Sequence, residues 1–232
     1  MTPGIAVALA AELRTLTPEV IAPGACARLP GGALVALGGV GPERARRTGL
    51  QLLEAGARAL VSWGVAAGLD PGLTAGNLLL PDRVIGANGA TYRVTASWRA
   101  ELRGRVPPGI AVHTGPLVEA SGLLGSPRDK RALFERHGAI AADMESAALA
   151  HLAGERGVRF VVVRVVADPV AGRIPRWTAA LIDGAGKLRL FRAIGAVLAH
   201  PGDWPALVVL ARQFRTASRV LRRVAPLLSP GP

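Results

Sequence analysis

The fold of this 232-residue chain is decided by VRFVVVRVVAD, residues Val158–Asp168, together with AADMESAALAHLA, residues Ala141–Ala153, just before it. The valine-rich run shows no alternation of polar and apolar residues, which is typical of a parallel strand buried on both faces. It ends on Asp168, and open α/β sheets bind their ligands at the carboxyl ends of strands. Glu145 lies in the first turn of the preceding predicted helix, so two carboxylates can converge on one crevice. The residues alone leave a second interpretation open, in which Asp168 only ends the strand before Pro169 and Glu145 only complements a helix dipole.

The composition indicates one α/β domain with a full hydrophobic core. Half of the residues are hydrophobic and only 4% are aromatic. The single cysteine, Cys26, excludes an internal disulfide. The start of the chain lacks a basic signal-peptide region, and no apolar run reaches the ~20 residues of a transmembrane helix. We therefore expect a cytoplasmic protein.

The net charge of +12 is compatible with nucleic acid, an anionic membrane or an anionic substrate as partner. Zinc-finger spacing and aromatic-interleaved basic stretches are both missing from the sequence, so we do not expect nucleic-acid binding. Histidine and cysteine are too few and too scattered to predict a metal site.

Predicted strands and helices alternate along the chain, which excludes an all-α or an all-β fold. Two predicted helices, Trp177–Ala199 and Trp204–Leu228, form a C-terminal extension. The other predicted helices are Glu43–Ala55 and Arg128–His137; Ser126 and Pro127 suit the N-cap and first position of the second of these, and Ala11–Leu13 is predicted to turn into a short helix. The other predicted strands are Ile5–Ala10, Ala33–Gly38, Ala59–Trp63, Asn77–Gly86 with a bend or bulge at Pro81–Asp82, Thr91–Thr95, Ile110–Thr114 and Ala139–Ala142.

A glycine-rich turn, GGVGPERARR (Gly38–Arg47), opens the first long predicted helix. Free backbone N–H groups and the positive end of the helix dipole favour an anion there. Gly41 and Arg44 are accordingly candidate phosphate-binding residues, although a solvated helix face is the commoner use of such an arginine run. The turn does not have the GxGxxG pattern of dinucleotide-binding proteins.

Four stretches carry a family resemblance. DMESAALA (Asp143–Ala150) and FVVVRVVAD (Phe160–Asp168) resemble the signature of the purine nucleoside phosphorylase and methylthioadenosine/S-adenosylhomocysteine nucleosidase superfamily. GIAVALAAEL (Gly4–Leu13) and SWGVAAGLDPGLTAGNLLLPDRVI (Ser62–Ile85) resemble the same family in the same order. The resemblance implies a three-layer phosphorylase-type α/β fold, with a mixed central sheet flanked by helices. The resemblance covers roughly Gly4–Arg173, so we expect the core at residues 1–175 and, beyond the resemblance, C-terminal helices packed on the same domain at 176–232.

The resemblance also implies roles for individual residues. Asp168 would donate a proton to the purine N7, and Glu12 would position the attacking water. Glu145 would accept hydrogen bonds from the ribose hydroxyls, and Met144 would pack against the ribose. The substrate site is completed by small or strand-end residues that let a base or sugar approach the backbone, namely Gly64, Ala66 and Thr114.

The nucleophile stays open at this point. In the phosphorolytic branch an arginine and a hydroxyl usually bind phosphate, whereas this chain has Ser62 and Val65 at the matching positions. Glu12 favours water, because a carboxylate repels a phosphate dianion, and the helix start at Gly41 favours phosphate. We expect no cofactor, with phosphate as an alternative co-substrate. Arg164, buried in a strand, is expected to be structural and to need a carboxylate partner.

The last predicted helix is amphipathic. Its arginines recur at intervals of three and four on one face, and its apolar residues lie on another. Such a helix suits an anionic membrane surface, and a helix packed on the core explains it equally well. The arginines are Arg212, Arg215, Arg219 and Arg222, and the apolar residues are Phe214, Leu221, Val224 and Leu228.

A nucleosidase-like core with this tail resembles the hopanoid-associated phosphorylases, which release adenine from adenosylhopane. The resemblance implies cleavage of the N-glycosidic bond of a 5′-substituted adenosine, a lipid nucleoside as substrate, peripheral contact with the inner membrane face and a homo-oligomer. Two alternatives remain: a soluble methylthioadenosine/S-adenosylhomocysteine nucleosidase or futalosine hydrolase, and a nucleoside-binding module without turnover.

Overall fold

The computed structural model describes residues 1–175, 177–178 and 199–228. The helix predicted over Trp177–Ala199 therefore lies almost wholly outside the described residues.

Eleven strands of the described chain join in one mixed sheet. Their bounds are β1 Pro3–Val7, β2 Cys26–Arg28, β3 Leu34–Leu37, β4 Ala59–Gly68, β5 Leu78–Leu79, β6 Arg83–Ile85, β7 Thr91–Arg93, β8 Val112–His113, β9 Leu117–Glu119, β10 Ala141–Asp143 and β11 Arg159–Asp168. The described helices are α1 Ala10–Leu13, α2 Pro42–Glu54, α3 Ala96–Gly104, α4 Pro127–His137, α5 Ser146–Glu155 and a C-terminal helix, Trp204–Val224. The predicted mixed α/β sheet with flanking helices is confirmed.

The two long strands β4 and β11 form the centre of the sheet. They run parallel to each other, and β4 is also parallel to β1. On its other side β11 pairs with β5 in antiparallel orientation, while the end of β4 pairs antiparallel with β10. The register of β11 against β4 shifts between Val166 and Asp168, so a bulge precedes the last carboxylate of the strand.

Helices cover both faces of this centre because the side chains of β11 alternate between two cores. Val161, Val163 and Val165 pack in the core that contains the C-terminal helix and α3. Phe160 and Val162 pack in the core that contains α2 and α5. Both faces of β11 are therefore buried, as its unbroken apolar run predicts.

The helix start predicted at Ser126–Pro127 is confirmed, because the Ser126 side chain accepts a hydrogen bond from the Asp129 N–H at 3.2 Å. The segment after Trp63 is a correction: Gly64–Gly68 continues strand β4 instead of following it as a glycine-rich end. Three short elements also escaped the sequence analysis, namely β2, β9 and α3. The two strands have three residues each, and α3 buries only Trp98 and Leu102, so none has a strong periodic signal.

The C-terminal helix is amphipathic as predicted. Its apolar side packs on the core through Ala217, Leu221 and Val224, all of them buried. Its four predicted arginines are exposed. Within the described part of the chain, no helix combines the length and the apolar character needed to cross a membrane.

Candidate active site

The candidate site is organised around one buried guanidinium, that of Arg164 in the middle of β11. The side chain is only 2% exposed. Its Nε lies 2.8 Å from Asp143 Oδ2, its Nη2 donates to Glu145 Oε2 at 3.2 Å, and its Nη1 lies 3.8 Å from Glu12 Oε1. The prediction that Arg164 needs a carboxylate partner is confirmed, and the structure supplies three.

Glu12 reaches the cluster from α1, at the carboxyl end of β1. One carboxylate oxygen accepts a hydrogen bond from the Val65 N–H at 2.8 Å, and the other accepts from the Leu9 N–H at 3.0 Å. Burial raises the pKa of Glu12, although Arg164 and these backbone donors oppose the rise. A carboxylate with a raised pKa is a better proton acceptor, which suits a group that activates water.

Gly64 makes the approach of Glu12 to Arg164 possible. A Cβ on Gly64 would lie 2.3 Å from Glu12 Oε1 and 2.6 Å from Arg164 Nη1, and its φ is +151°. The space that glycine leaves is thus filled by the ion pair. The sequence predicts instead that a small residue at position 64 lets a base or sugar approach the backbone. In the structure, glycine at this position leaves room for Glu12 and Arg164.

The junction between β10 and α5 supplies the other two carboxylates. Asp143 Oδ1 accepts hydrogen bonds from the N–H groups of Glu145 and Ser146 at 3.3 and 3.1 Å, which satisfies the start of α5. The Ser146 hydroxyl donates to Asp143 Oδ2 and contacts the Ser62 hydroxyl at 2.9 Å. Ser62 in turn accepts from Arg164 Nη2 at 2.9 Å, so β4, β10 and β11 are joined in one polar network.

Glu145 is the N-cap residue of α5 and is slightly displaced from the first-turn position predicted for it. Its Oε1 accepts a hydrogen bond from the Gly41 N–H at 3.0 Å, at the start of α2. Burial raises the pKa of Glu145 to about 7, with Arg164 lowering it and the neighbouring Asp143 and Glu12 adding to the rise. Near neutral pH, Glu145 is therefore poised between its acid and its charged form.

Asp168 lies at the end of β11, directly after the register shift that follows Val166. It is 5% exposed. Its Oδ1 is 2.6 Å from Nζ of Lys130, a residue of α4 that is fully buried. Burial raises the pKa of Asp168, and Lys130 opposes the rise. Asp168 is thus the third carboxyl group of the site whose pKa is raised, after Glu12 and Glu145.

The remaining predicted site residues are less closely connected to this cluster. Met144 is half-buried, and its N–H donates to Glu145 Oε2 at 3.3 Å. Ala66 is buried in the core beneath α2 and α5. The carbonyl of Thr114 accepts a hydrogen bond from the Asp82 N–H, and Arg44 is exposed with its Nη1 on the Val40 carbonyl. Direct contacts of these four with substrate stay predictions.

Two functional candidates were missed from the sequence. Asp143 received no role from the sequence, although it is the ion-pair partner of Arg164 Nε. Lys130 lies in the charged run PRDKRALFERH, and a lysine in such a run is expected to be exposed to solvent. Its spacing of three and four from the half-buried Leu133 and Phe134 was the available signal, because that spacing puts it on the inner face of the helix.

The fold and the site define an α/β enzyme that presents buried carboxyl groups at the carboxyl ends of its strands. The amino-acid sequence of residues 29–187 matches the phosphorylase superfamily, which is a family of enzymes. Since this match covers more than half of the chain, the protein belongs to the phosphorylase superfamily.

Solved structures agree with this fold. A 5′-methylthioadenosine/S-adenosylhomocysteine nucleosidase from Neisseria meningitidis, in complex with methylthio-immucillin-A, superposes with a TM-score of 0.72 at 18% identity and covers 98% of this chain and 97% of its own. A Helicobacter pylori nucleosidase mutant with 5′-methylthioadenosine in its active site gives 0.70 at 17% identity, covering 96% and 97%. The native futalosine hydrolase of H. pylori gives 0.69 at 17% identity, covering 97% of each chain. No curated protein matches the chain in sequence.

Proposed function

We propose that this enzyme cleaves the N-glycosidic bond of a 5′-substituted adenosine and releases adenine. The observation that carries the proposal is the buried cluster in which Glu12 and Glu145 share the guanidinium of Arg164. A ribosyl transfer passes through an oxocarbenium-like sugar, so it needs a proton for the leaving base, negative charge near the ribose and a nucleophile on the opposite face. Three buried carboxyl groups, those of Asp168, Glu145 and Glu12, support the assignment of one group to each task.

In this reaction Asp168 donates its proton to purine N7, and the rise of its pKa on burial favours the acid form that this role needs. Glu145 accepts hydrogen bonds from the ribose hydroxyls and, when ionised, stabilises the positive charge on the sugar. Glu12 accepts a proton from the water that attacks the anomeric carbon. Arg164 holds the carboxylates in position without touching the substrate.

We further propose water as the nucleophile. The Gly41 N–H, which is the anion-binding donor expected at the start of α2, is already used by a carboxylate oxygen of Glu145. The Ser62 hydroxyl, at the place where phosphorolytic relatives carry an arginine, is used by Arg164 and Ser146. A phosphate dianion at this position would displace these contacts and stand beside buried carboxylates, which is electrostatically unfavourable.

For the substrate we propose a membrane-embedded lipid nucleoside, adenosylhopane, with the enzyme in the cytoplasm and peripheral on the inner membrane face. Support comes from the C-terminal helix. Trp204 and Val208 precede four exposed arginines at intervals of three or four residues, so all six side chains lie on one face of the helix. Trp204 is 47% exposed and Val208 51% exposed. An exposed apolar end followed by a cationic stripe suits an anionic bilayer surface. The arginines are Arg212, Arg215, Arg219 and Arg222.

A second candidate is a nucleosidase acting on methylthioadenosine, S-adenosylhomocysteine or futalosine. The observation that favours it is the superposition with such enzymes over almost the whole chain. Both candidates use the same three carboxyl groups, and they differ in the 5′ substituent that the site admits. A nucleoside-binding module without turnover is disfavoured, because three buried carboxyl groups with raised pKa are costly to maintain and are typical of catalytic sites.

The test is incubation of the purified protein with adenosylhopane in vesicles, methylthioadenosine and futalosine, each with and without phosphate, while free base is followed. We expect adenine from adenosylhopane without phosphate, and a sugar product with a free anomeric hydroxyl. The Asp168→Asn variant serves as the matched inactive control. Base release that requires phosphate would contradict the hydrolytic assignment, and turnover of methylthioadenosine or futalosine alone would favour the second candidate.

A further inference from the structure

Lys130 is the one lysine among the residues that the structure describes, and its surroundings are unusual for a lysine. Its side chain has no exposed surface, although it extends from α4, a helix whose other charged residues are mostly exposed. Its Nζ lies 2.6 Å from Asp168 Oδ1 and donates to the carbonyls of Pro169 and Gly172 at 2.8 and 3.1 Å. Two donors of the ammonium group bond backbone carbonyls and its charge is paired with a carboxylate, so its partners all lie within the five residues that begin with Asp168.

The other oxygen of Asp168 is in the opposite situation. Both oxygens are buried and lack a well-aligned hydrogen bond among the described residues, but Oδ1 is held by its ion pair with Lys130, whereas Oδ2 is not the oxygen that this pair joins. A buried carboxylate oxygen without a partner costs free energy unless something fills the position at another stage. The carboxyl group therefore has one oxygen fixed by Lys130 and one oxygen left for a further partner, which the proposed function supplies as the leaving base.

We propose that Lys130 is a positioning residue for Asp168: its ammonium fixes one carboxyl oxygen and stabilises the carboxylate that remains after the proton has passed to the base. This inference rests on the proposed function. In the step concerned, the O–H bond of Asp168 breaks and an N–H bond forms on the purine. The electron pair of the glycosidic bond goes to the base, and water captures the sugar. Lys130 keeps its three protons throughout.

Electrostatics around the pair supports this role. Burial lowers the pKa of Lys130 and raises that of Asp168, and each group opposes the effect of burial on the other. From α4 the nearest charged neighbours in sequence are Asp129, which accepts a hydrogen bond from the Ser126 hydroxyl, and exposed arginines. From β11, Arg164 is occupied by the other carboxylates. Among the described residues, Lys130 is thus the charge that controls whether Asp168 is an acid or a carboxylate.

The structural alternative is that Lys130 only ties α4 to the segment after β11. The two roles differ in what removal of the charge does to the acidity of Asp168. Without Lys130, Asp168 keeps its proton up to a higher pH, because burial then acts on its pKa without opposition. A loss of the tie alone would lower turnover to the same extent at every pH.

The experiment compares Lys130→Met with wild type on two substrates. One is a 5′-substituted adenosine, and the other is a 4-nitrophenyl riboside, whose leaving group departs as an anion without a proton. We expect Lys130→Met to lose about 10- to 100-fold in kcat on the adenosine and less than about threefold on the riboside. The alkaline limb of its kcat/KM profile on the adenosine should move to higher pH. Equal losses on both substrates with an unmoved limb would overturn the proposal.

A second measurement does not depend on turnover. Thermal unfolding is followed from pH 5 to 9 for wild type, Lys130→Met, Asp168→Asn and the double variant. An acid whose pKa is raised in the folded state loses stability as pH rises from its unfolded pKa to its folded pKa. Lys130→Met should therefore lose melting temperature with rising pH, and adding Asp168→Asn should remove that dependence.

If these pH dependences coincide in Lys130→Met and the double variant, Lys130 does not control Asp168 and the inference fails. If no substrate is cleaved by wild type while the unfolding data behave as expected, the proposed function fails and the linkage between the two residues stands. The double variant also guards against misfolding, since it carries neither of the two buried charges.

Discussion

Replacement of Gly64 by alanine tests whether the position of Glu12 matters for turnover. The new Cβ would lie 2.3 Å from Glu12 Oε1 and 2.6 Å from Arg164 Nη1, whereas ordinary contacts begin at 3.4 Å. The backbone at Gly64 has a φ of +151°, which alanine rarely adopts, so the strand cannot absorb the clash. The carboxylate must therefore retreat by about 1 Å, the difference between these distances.

A displacement of about 1 Å in a catalytic group can cost about 100-fold in rate, which corresponds to roughly 2.7 kcal/mol of transition-state stabilisation. In the proposed mechanism Glu12 positions water and does not bind the nucleoside, so we expect the loss in kcat with little change in KM. The assay is steady-state release of adenine from the best substrate of the panel. Circular dichroism checks that the variant is folded.

The matched control is Gly154→Ala, the same substitution in helix α5, where a Cβ would meet nothing within 4 Å. This variant should keep wild-type turnover and gain slightly in stability, since alanine is the better helix former by about 0.5–1 kcal/mol. A Gly64→Ala enzyme with kcat within about threefold of wild type would show that turnover does not need Glu12 where the structure places it.

Three further predictions concern the proton donor, the ribose carboxylate and the exposed arginines. Asp168→Asn should lower base release by at least ~100-fold, because an amide preserves the shape of the side chain but supplies no proton. Nucleoside binding, measured by calorimetry, should stay within about tenfold of wild type. Near wild-type turnover would show that Asp168 is not the acid. In wild type kcat/KM should rise with pH through about 7, because Glu145 ionises and then binds the ribose hydroxyls more strongly. Glu145→Gln should abolish this rise. If the rise persists in Glu145→Gln, it belongs to the titration of another group. Exchange of the four arginines of the C-terminal helix for glutamine should reduce sedimentation with anionic liposomes, since each contributes about 1 kcal/mol near such a surface, and should slow turnover of the membrane-embedded substrate only. The control carries glutamine at four exposed arginines elsewhere and therefore has the same change of charge. Equal effects of the two sets of substitutions would contradict a membrane-facing helix. The set on the C-terminal helix is Arg212, Arg215, Arg219 and Arg222, and the control set is Arg47, Arg58, Arg103 and Arg136.

Local sequence patterns were sufficient for the long elements. The unbroken valine run predicted β11 and its burial on both faces, because a strand covered by helices on two sides has no position for solvent. Ser126 and Pro127 predicted the start of α4, since capping is decided by neighbours within a few residues. Resemblance to the superfamily added Glu12 to the candidates and gave Glu145 and Asp168 their expected roles. The chain's membership of that superfamily is shown by the match over residues 29–187. The substrate, the oligomeric state and the roles of individual residues stay predictions.

The contacts of these residues were decided by tertiary structure. The oxygen of Glu145 that receives the Gly41 N–H does so across 104 positions of chain, and Arg164 meets Val65 across 99. Such contacts depend on which strands lie side by side, and a periodicity of two or 3.6 residues carries no information about that order. The environment of Lys130 was also decided by tertiary structure, because the sequence of its own helix shows only one charged residue among several. Lys130 is buried because α4 packs against the segment after β11. A carboxylate and two backbone carbonyls of that segment surround the ammonium group, and these partners offset the free-energy cost of burying its charge.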